Sequence, residues 1–289
     1  KQMLEIATLK KTDSLLKLNN LSPKKSLGQN FLINPLIAED IIKKSDLNTS
    51  NVVIEIGPGL GALSEKIAVL AKKLICYEID SDLVPILKEE LSIFPNVEIF
   101  NIDFLKVDFK KIINDIDSNE IVIISNLPYY ITSEILYKIF QDDSKKIKKV
   151  ITMMQKEVGN KIVKNEKGKN QSELAVLANV FADTKIIKYV SKNDFLPRPK
   201  IDSIVVEFLF NNKNDIDKGL FIKVVKTIFA QRRKTIYNNL NQRINNKEIS
   251  EKILNECNIE LSQRAEDLDI IKFIELAQKI STYKEVDLL

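Results

Sequence analysis

Apolar positions set the plan of this chain. Four short runs rich in β-branched residues have the length and composition of strands: NVVIEI (51–56), LICYEID (74–80), NVEIFNID (96–103) and EIVIISN (120–126). Between them, ALSEKIAVLAKK (62–73) and DLVPILKEELS (82–92) space their apolar residues as amphipathic helices do. Upstream, apolar residues at 33, 36, 37, 41 and 42 predict a helix from Ile33 to Lys44, with Asn34 as cap and Pro35 in the first turn. Strands alternating with helices give βαβ units and a mostly parallel sheet. KKVITMMQ (148–155), TKIIKYV (184–190) and SIVVEFLF (203–210) add strands, and the last two, joined by a proline-containing segment, are expected to pair as an antiparallel edge.

Past Phe210 the strand signals stop. NNKNDIDKG (211–219) reads as a linker, and FIKVVKTIFAQRRKTIYNNL, EISEKILNEC and DLDIIKFIELAQKI carry helical spacing. Residues 1–30 are polar and basic. The expected organisation is therefore a flexible basic arm (1–30), an α/β domain (31–210) and a small helical C-terminal domain (211–289).

Composition narrows the chemistry. With 289 residues, 44% hydrophobic and 29% charged, the chain has material for a core. No apolar run approaches the ~18 residues of a membrane span. The first residues, KQMLEIATLKKTDS, lack an apolar signal core, so a cytoplasmic location is expected. Cys76 and Cys257 stand far apart in apolar patterns, which supports neither a disulfide framework nor a zinc site. The chain has no histidine. A Ser-His-Asp triad, a His-metal site and a His general base are all excluded. The net charge of +4 is mild, and its distribution says more than its size.

Three elements at strand ends carry candidate chemistry. Gly57, Gly59 and Gly61 follow NVVIEI, where glycine permits a sharp turn and close approach of a ligand to the main chain. Ala62 breaks the G-x-G-x-x-G spacing and no G-K-[ST] follows, so neither a dinucleotide fingerprint nor a P-loop is present. A tight turn without a ligand explains the glycines equally well. Glu78, ending the next strand, can accept from both ribose hydroxyls. Asp103, closing the third, can accept from an adenine amino group. Alone, each is an ordinary solvated carboxylate. Together the glycine turn and the two strand-end carboxylates describe a crevice for a nucleoside without a pyrophosphate, and S-adenosylmethionine (SAM) fits that description.

The third element is Asn126-Leu127-Pro128-Tyr129, directly after EIVIISN. A nucleobase amine is a poor nucleophile because its lone pair is conjugated with the ring. The Asn126 amide oxygen and the Leu127 carbonyl can accept its two hydrogens together and turn the lone pair toward an electrophilic methyl. Pro128 restricts Leu127 to extended backbone, and Tyr129 offers a stacking face. Positioning and polarisation suffice for such a reaction, so the absence of histidine is no obstacle.

Seven segments in order, GQNFL (28–32), EIGPGLGALS (55–64), YEID (77–80), NLPYYITSEIL (126–136), MMQKEV (153–158), FLPRPKIDSIVVEF (195–208) and FAQRRKTIYNNL (229–240), resemble the ribosomal RNA adenine N6,N6-dimethyltransferases, nearest the bacterial small-subunit type. The resemblance runs from about residue 24 to 275. It implies an α/β fold with a Rossmann-like SAM-dependent methyltransferase sheet and a small C-terminal helical domain. It implies an enzyme that dimethylates two adjacent adenosines in the 3′-terminal hairpin of small-subunit rRNA, with SAM as cofactor. The implied partner is small-subunit rRNA within an immature ribosomal subunit, and a monomer is expected. Asn30, Leu32, Gly57, Glu78, Asp103 and Asn126 match the family's cofactor contacts, and Asn126 to Tyr129 its catalytic tetrapeptide. Phe195 matches the aromatic that faces the tetrapeptide's Tyr across the target adenine.

Three positions depart from the family pattern: Tyr130, the stretch SELAVLANVF (172–181), which lacks a Tyr and a Gln common there, and Gly159 in place of Ala. Positive charge concentrates in two regions. Lys145, Lys146, Lys148, Lys149, Lys156, Lys161, Lys164, Lys167 and Lys169 form one, equally readable as a solvated surface. Lys223, Lys226, Arg232, Arg233, Lys234 and Arg243 form the other. Lys24, Lys25, Lys223, Arg232, Arg233 and Lys234 are the expected RNA contacts. Two competing readings are a resistance-type methyltransferase acting on large-subunit rRNA, and a mainly non-catalytic ribosome assembly factor.

Overall fold

The computed structural model describes residues 5–142, 144–164, 168, 171–211 and 216–283. It divides into two compact units. The first holds residues 1–159 and 184–210, and the second holds 160–183 and 211–289.

The first unit is built on a seven-stranded sheet. Its strands are β2 (Val52–Ile56), β3 (Lys73–Glu78), β4 (Val97–Asn101), β5 (Ile121–Asn126), β6 (Ile147–Gln155), β7 (Ala182–Val190) and β9 (Ser203–Phe210), in the order β4-β3-β2-β5-β6-β9-β7. The short strands β1 (Phe31–Leu32) and β8 (Phe195–Leu196) pair separately and antiparallel. β2 runs parallel to both β3 and β5. Every residue of β2 is buried, as expected of β-branched runs covered on both faces. Chain order reverses at β2, because β3 and β4 extend one side and β5 and β6 the other. Such a switch point opens a crevice at the carboxyl ends of the strands. Gly57, Glu78 and Asn126 all stand at that edge.

The helices of this unit follow their local signals. α1 (Leu9–Leu18) is capped by Thr8, whose hydroxyl accepts from the Lys11 N–H. α2 (Pro35–Lys44) has Asn34 as cap and Pro35 at its first position, and it buries Ala38, Ile41 and Ile42. α3 (Ser64–Leu70), α4 (Leu83–Glu90), α5 (Phe109–Asp115) and α6 (Thr132–Phe140) follow β2 to β5 in turn. α7 (Lys156–Lys164) then straddles the division between units. Gly159 is accounted for: a Cβ there would lie 2.5 Å from Ile204 Cδ1.

Two expectations are corrected and one is refined. The segment 1–30 is not a flexible arm over its described part, because Ile6, Ala7, Leu15 and Leu16 are buried in the core. The expected neighbours β7 and β9 do pair at one edge of the sheet, and β9 in addition runs antiparallel to β6. The second unit takes in 160–183 as well as the residues past 210. Of the expected linker at 211–219, residues 212–215 lie outside the described residues, and Lys218 and Gly219 already belong to a helix.

The second unit is helical. It contains α8 (Glu173–Phe181), α9 (Lys218–Phe229), α10 (Ile236–Ile244), α11 (Lys247–Glu256) and α12 (Ile270–Ser281). The pattern FIKVVKTIFAQRRKTIYNNL breaks into α9 and α10 because Thr235 caps a new helix, accepting from the Asn238 N–H. The buried Asn239 ties the two together, its Nδ2 donating to the carbonyls of Ile228 and Gln231. Phe221 and Phe273 are fully buried in this unit.

Candidate functional site

The carboxyl edge of β2, β3 and β5 encloses a cleft of about 810 Å³, its open mouth included. β2 runs into a turn in which Gly57, Gly59 and Gly61 have φ of +67°, +60° and +98°. These are conformations that favour glycine. The Gly59 N–H donates to Glu78 Oε2 at 2.9 Å, and the Asp80 N–H to Glu78 Oε1 at 2.8 Å. The turn and the strand-end carboxylate therefore fix one another. Burial pushes the Glu78 carboxyl up, and the two N–H bonds partly offset it.

Glu55 lines the same cleft from inside β2 and is 1% exposed. Its Oε2 accepts from the Ser64 hydroxyl at 2.5 Å, and the Cys76 thiol lies 3.9 Å away. Burial pushes the Glu55 carboxyl up to about 8. It is mostly neutral at pH 7. The only sequence signal for this residue is a carboxylate inside an otherwise apolar strand, and the sequence reading did not single it out.

At the opposite end, Asn126 is the last residue of β5. Its Nδ2 donates to the Asn30 carbonyl at 3.1 Å. A carbonyl can only accept, so the amide nitrogen must face Asn30, leaving Oδ1 as the acceptor the side chain has to offer. Leu127 anchors the turn with a buried side chain. The Pro128 carbonyl accepts from the Ile131 N–H at 3.2 Å and the Thr132 hydroxyl at 3.1 Å. Tyr129 is held by its hydroxyl, 2.7 Å from Ser203 Oγ at the start of β9, and burial raises its phenol.

A strap of residues 28–32 crosses between the two ends. A Cβ on Gly59 would lie 3.2 Å from the Phe31 ring, and one on Gly28 would lie 3.2 Å from the Tyr130 ring. Tyr130 itself is 56% exposed, so this departure from the family pattern lies at the strap's outer side.

The structure brings Asn30, Leu32, Gly57, Glu78, Asn126, Leu127, Pro128 and Tyr129 together along one cleft. It leaves out two expected residues. Asp103 caps the turn that follows β4, accepting from the Leu105 N–H at 3.0 Å, and does not line the cleft. Phe195 sits opposite Leu32 in the β1–β8 pair, is 2% exposed, and belongs to the hydrophobic core. With its ring covered in this way, it supports the strap and presents no face to the cleft.

The basic residues also divide. Lys24 is held by Asp80 at 2.5 Å and Asp82 at 2.7 Å. Lys25, Arg233 and Lys234 are exposed. Arg232 donates to the Gln171 carbonyl at 3.1 Å and lies 3.5 Å from Glu266. In the 144–170 run, Lys146 donates to the carbonyls of Ile113, Asn114 and Ile116, and Lys149 to that of Ser45. Lys148 donates to the Lys145 carbonyl, and Lys156 lies over the Tyr189 ring. Lys167 and Lys169 lie outside the described residues. In the second unit, Lys223, Lys226 and Arg243 border an open surface concavity at α9 and α10, with Gln231 and Gln242.

A Rossmann-like sheet with a glycine turn, a strand-end carboxylate and an Asn-Leu-Pro-Tyr turn around one cleft defines a methyltransferase architecture. Comparison with known proteins gives the family. The model of the ribosomal RNA adenine dimethylase family matches residues 20–276, and this chain belongs to that family. Ribosomal RNA small subunit methyltransferase A of Bacillus cereus (strain B4264) is 35% identical over 291 residues, spanning 98% of this chain and 99% of that protein. The protein of the same name from Bacillus anthracis has the same identity and coverage. Among solved structures, a dimethyladenosine transferase from Plasmodium falciparum superposes with a TM-score of 0.71 at 24% identity, covering 87% of this chain and 97% of that one. The 23S rRNA methyltransferase ErmE superposes with a TM-score of 0.64 at 22% identity, covering 87% and 99%. These two likenesses confirm the fold.

Proposed function

We propose that this chain transfers methyl groups from S-adenosylmethionine to the exocyclic N6 of two adjacent adenosines in the 3′-terminal hairpin of small-subunit rRNA. The observation that carries the reading is the orientation of Asn126, whose amide nitrogen is occupied by the Asn30 carbonyl. Family membership and the small-subunit relatives give it its substrate.

The cleft fits the cofactor. Among the described residues lining it there is no Lys or Arg to repel a cationic sulfonium ligand. Glu78 retains lone pairs beyond its two N–H bonds and would accept from the ribose hydroxyls. Gly57 leaves the main chain open, since a Cβ there would meet nothing nearer than Pro128 Cδ at 3.9 Å. Ile79 offers apolar cover beside Glu78. When bound, the cofactor supplies an electrophilic methyl whose departure neutralises the sulfonium.

The protein's own part is geometric. Asn126 Oδ1 and the Leu127 carbonyl accept the two amine hydrogens and draw the lone pair out of conjugation. Asn30 keeps the amide from flipping, and Pro128 fixes the turn. Tyr129, held by Ser203, bounds the space the extruded base would fill. The exposed Arg233 and Lys234 and the Lys223–Arg243 concavity of the second unit supply phosphate contacts. The substrate is rRNA within an immature subunit, bound by a cytoplasmic monomer. The test offers immature small subunits and naked large-subunit rRNA side by side. Incorporation of label into the small-subunit RNA supports the reading, and incorporation into large-subunit RNA alone overturns it.

A further inference from the structure

Asp80 borders the cleft without lining it, yet it is 3% exposed and several groups converge on it. Its N–H donates to Glu78 Oε1 at 2.8 Å. Its Oδ2 accepts from Gln29 Nε2 at 2.5 Å. Its Oδ1 accepts from Lys24 Nζ at 2.5 Å and from the Asp82 N–H at 3.1 Å. Gln29 is clamped from its other side, because the Lys24 N–H donates to its Oε1 at 2.7 Å. Burial alone would push the Asp80 carboxyl up, but Lys24, Gln29 and Asp82 outweigh it and hold the group below the usual carboxylate range. It is a charged acceptor at neutral pH. Bonds to an ionised acceptor are the stronger kind, and removing a donor from a buried carboxylate leaves it uncompensated.

The residue after Gln29 is Asn30, whose carbonyl holds Asn126 Nδ2. The Asn30 side chain is itself tied back, its Nδ2 donating to the Gly28 carbonyl at 2.9 Å. One continuous path therefore runs Glu78–Asp80–Gln29–Asn30–Asn126, from the cofactor end of the cleft to the base end.

We infer that Asp80 is a positioning residue that locks the strap through Gln29, so that the Asn30 carbonyl is held where it orients Asn126, while its own N–H sets the Glu78 carboxylate. The inference rests on the function proposed above for Asn126 and Glu78. Asp80 thereby registers the two ends of the cleft against each other. Lys24, 37% exposed on its side chain, is the weaker half of the lock, because solvent screens it. Gln29 is the half that bears on Asn30.

The test compares Gln29→Ala and Asp80→Asn with the unaltered chain by three measurements. Calorimetric titration with S-adenosylhomocysteine reads the cofactor end and needs no RNA. Single-turnover methylation at saturating cofactor reads the base end. Hydrogen exchange of the amides of residues 24–32 reads the strap. Gln29→Ala is expected to lower the saturating methylation rate by about tenfold or more while changing ligand affinity by less than about threefold, because Glu78 keeps both its N–H bonds. Asp80→Asn removes the charge that Gln29 and Lys24 meet but keeps the N–H bond to Glu78, so it too is expected to lower the rate far more than the affinity, and in both variants the strap exchanges faster. An unchanged saturating rate in Gln29→Ala, or a rate loss that only mirrors lost affinity, overturns the inference. Should the unaltered chain methylate no small-subunit RNA, the proposed function falls, and strap exchange still decides here. Exchange at the unaltered rate in both variants refutes the lock.

Discussion

The two ends of the cleft are built on opposite principles. At the Glu78 end, two carboxyls are withdrawn from solvent, and their ordinary acidity is displaced by burial. At the Asn126 end, the reacting groups offered are an amide and a main-chain carbonyl, neither of which titrates. In the proposed function the first arrangement holds the cofactor's sugar by hydrogen bonding. The second acts by direction alone. The contrast shows why a chain without histidine can still catalyse: the group that needs a particular protonation state binds, and the groups that polarise the nucleophile need none.

The sharpest way to break the contrast is Asn126→Ala. It removes one of two acceptors from the reacting amine and is expected to lower methyl transfer by about 10²–10³-fold, as for loss of a preorganised polar group. Cofactor affinity, read by calorimetry, is expected to stay within about threefold. Glu78→Ala inverts the pattern. Losing two hydrogen bonds from the ribose hydroxyls, ~0.5–1.5 kcal/mol each, weakens the cofactor by about 5–150-fold, and saturating cofactor restores much of the rate. Equal losses in both parameters for both variants would erase the distinction between the ends.

Glu55→Gln probes the buried carboxyl through stability. The folded-state value is raised from 4.5 to about 8, so the protonated carboxyl's contribution is fully present below pH 4.5 and is lost as pH rises through 8. The glutamine variant should therefore gain melting temperature relative to the unaltered chain as pH goes from 5 to 9, with most of the gain complete near 8. A difference that is flat across that range would contradict a neutral Glu55 at pH 7. The smallest effects concern the lysines. Lys146→Met, which uncaps three carbonyls around the end of α5, should lower stability without changing the salt dependence of RNA binding. Reversing Arg233 and Lys234 to Glu should do the opposite, reducing the salt slope by about 1 per lost phosphate contact.

Much of this site was legible in the sequence because local rules fix it. A glycine turn after a buried strand, carboxylates and amides at strand ends, and an Asn-Pro helix start each need only their neighbours in the chain. What was not legible depends on partners distant in sequence. Lys24 looked like a free cation until the chain placed Asp80 and Asp82 against it. Phe195 looked like a stacking face until β8 paired with β1 and covered it. The lysine run at 145–149 read equally as a phosphate-binding surface or a solvated one. Three of its ammonium groups instead meet carbonyls, at loop and helix ends that periodicity does not locate.

The central claim is that a fixed amide and its neighbouring carbonyl make an adenine amine nucleophilic. Mass spectrometry of small-subunit rRNA after incubation with S-adenosylmethionine and either the unaltered chain or Asn126→Ala tests it most directly. The account predicts two adjacent N6,N6-dimethyladenosines in the 3′-terminal hairpin with the unaltered chain and, at the same incubation time, at most about a hundredth as much with the variant. Full dimethylation by Asn126→Ala, or methyl groups found only elsewhere in the RNA, would contradict it.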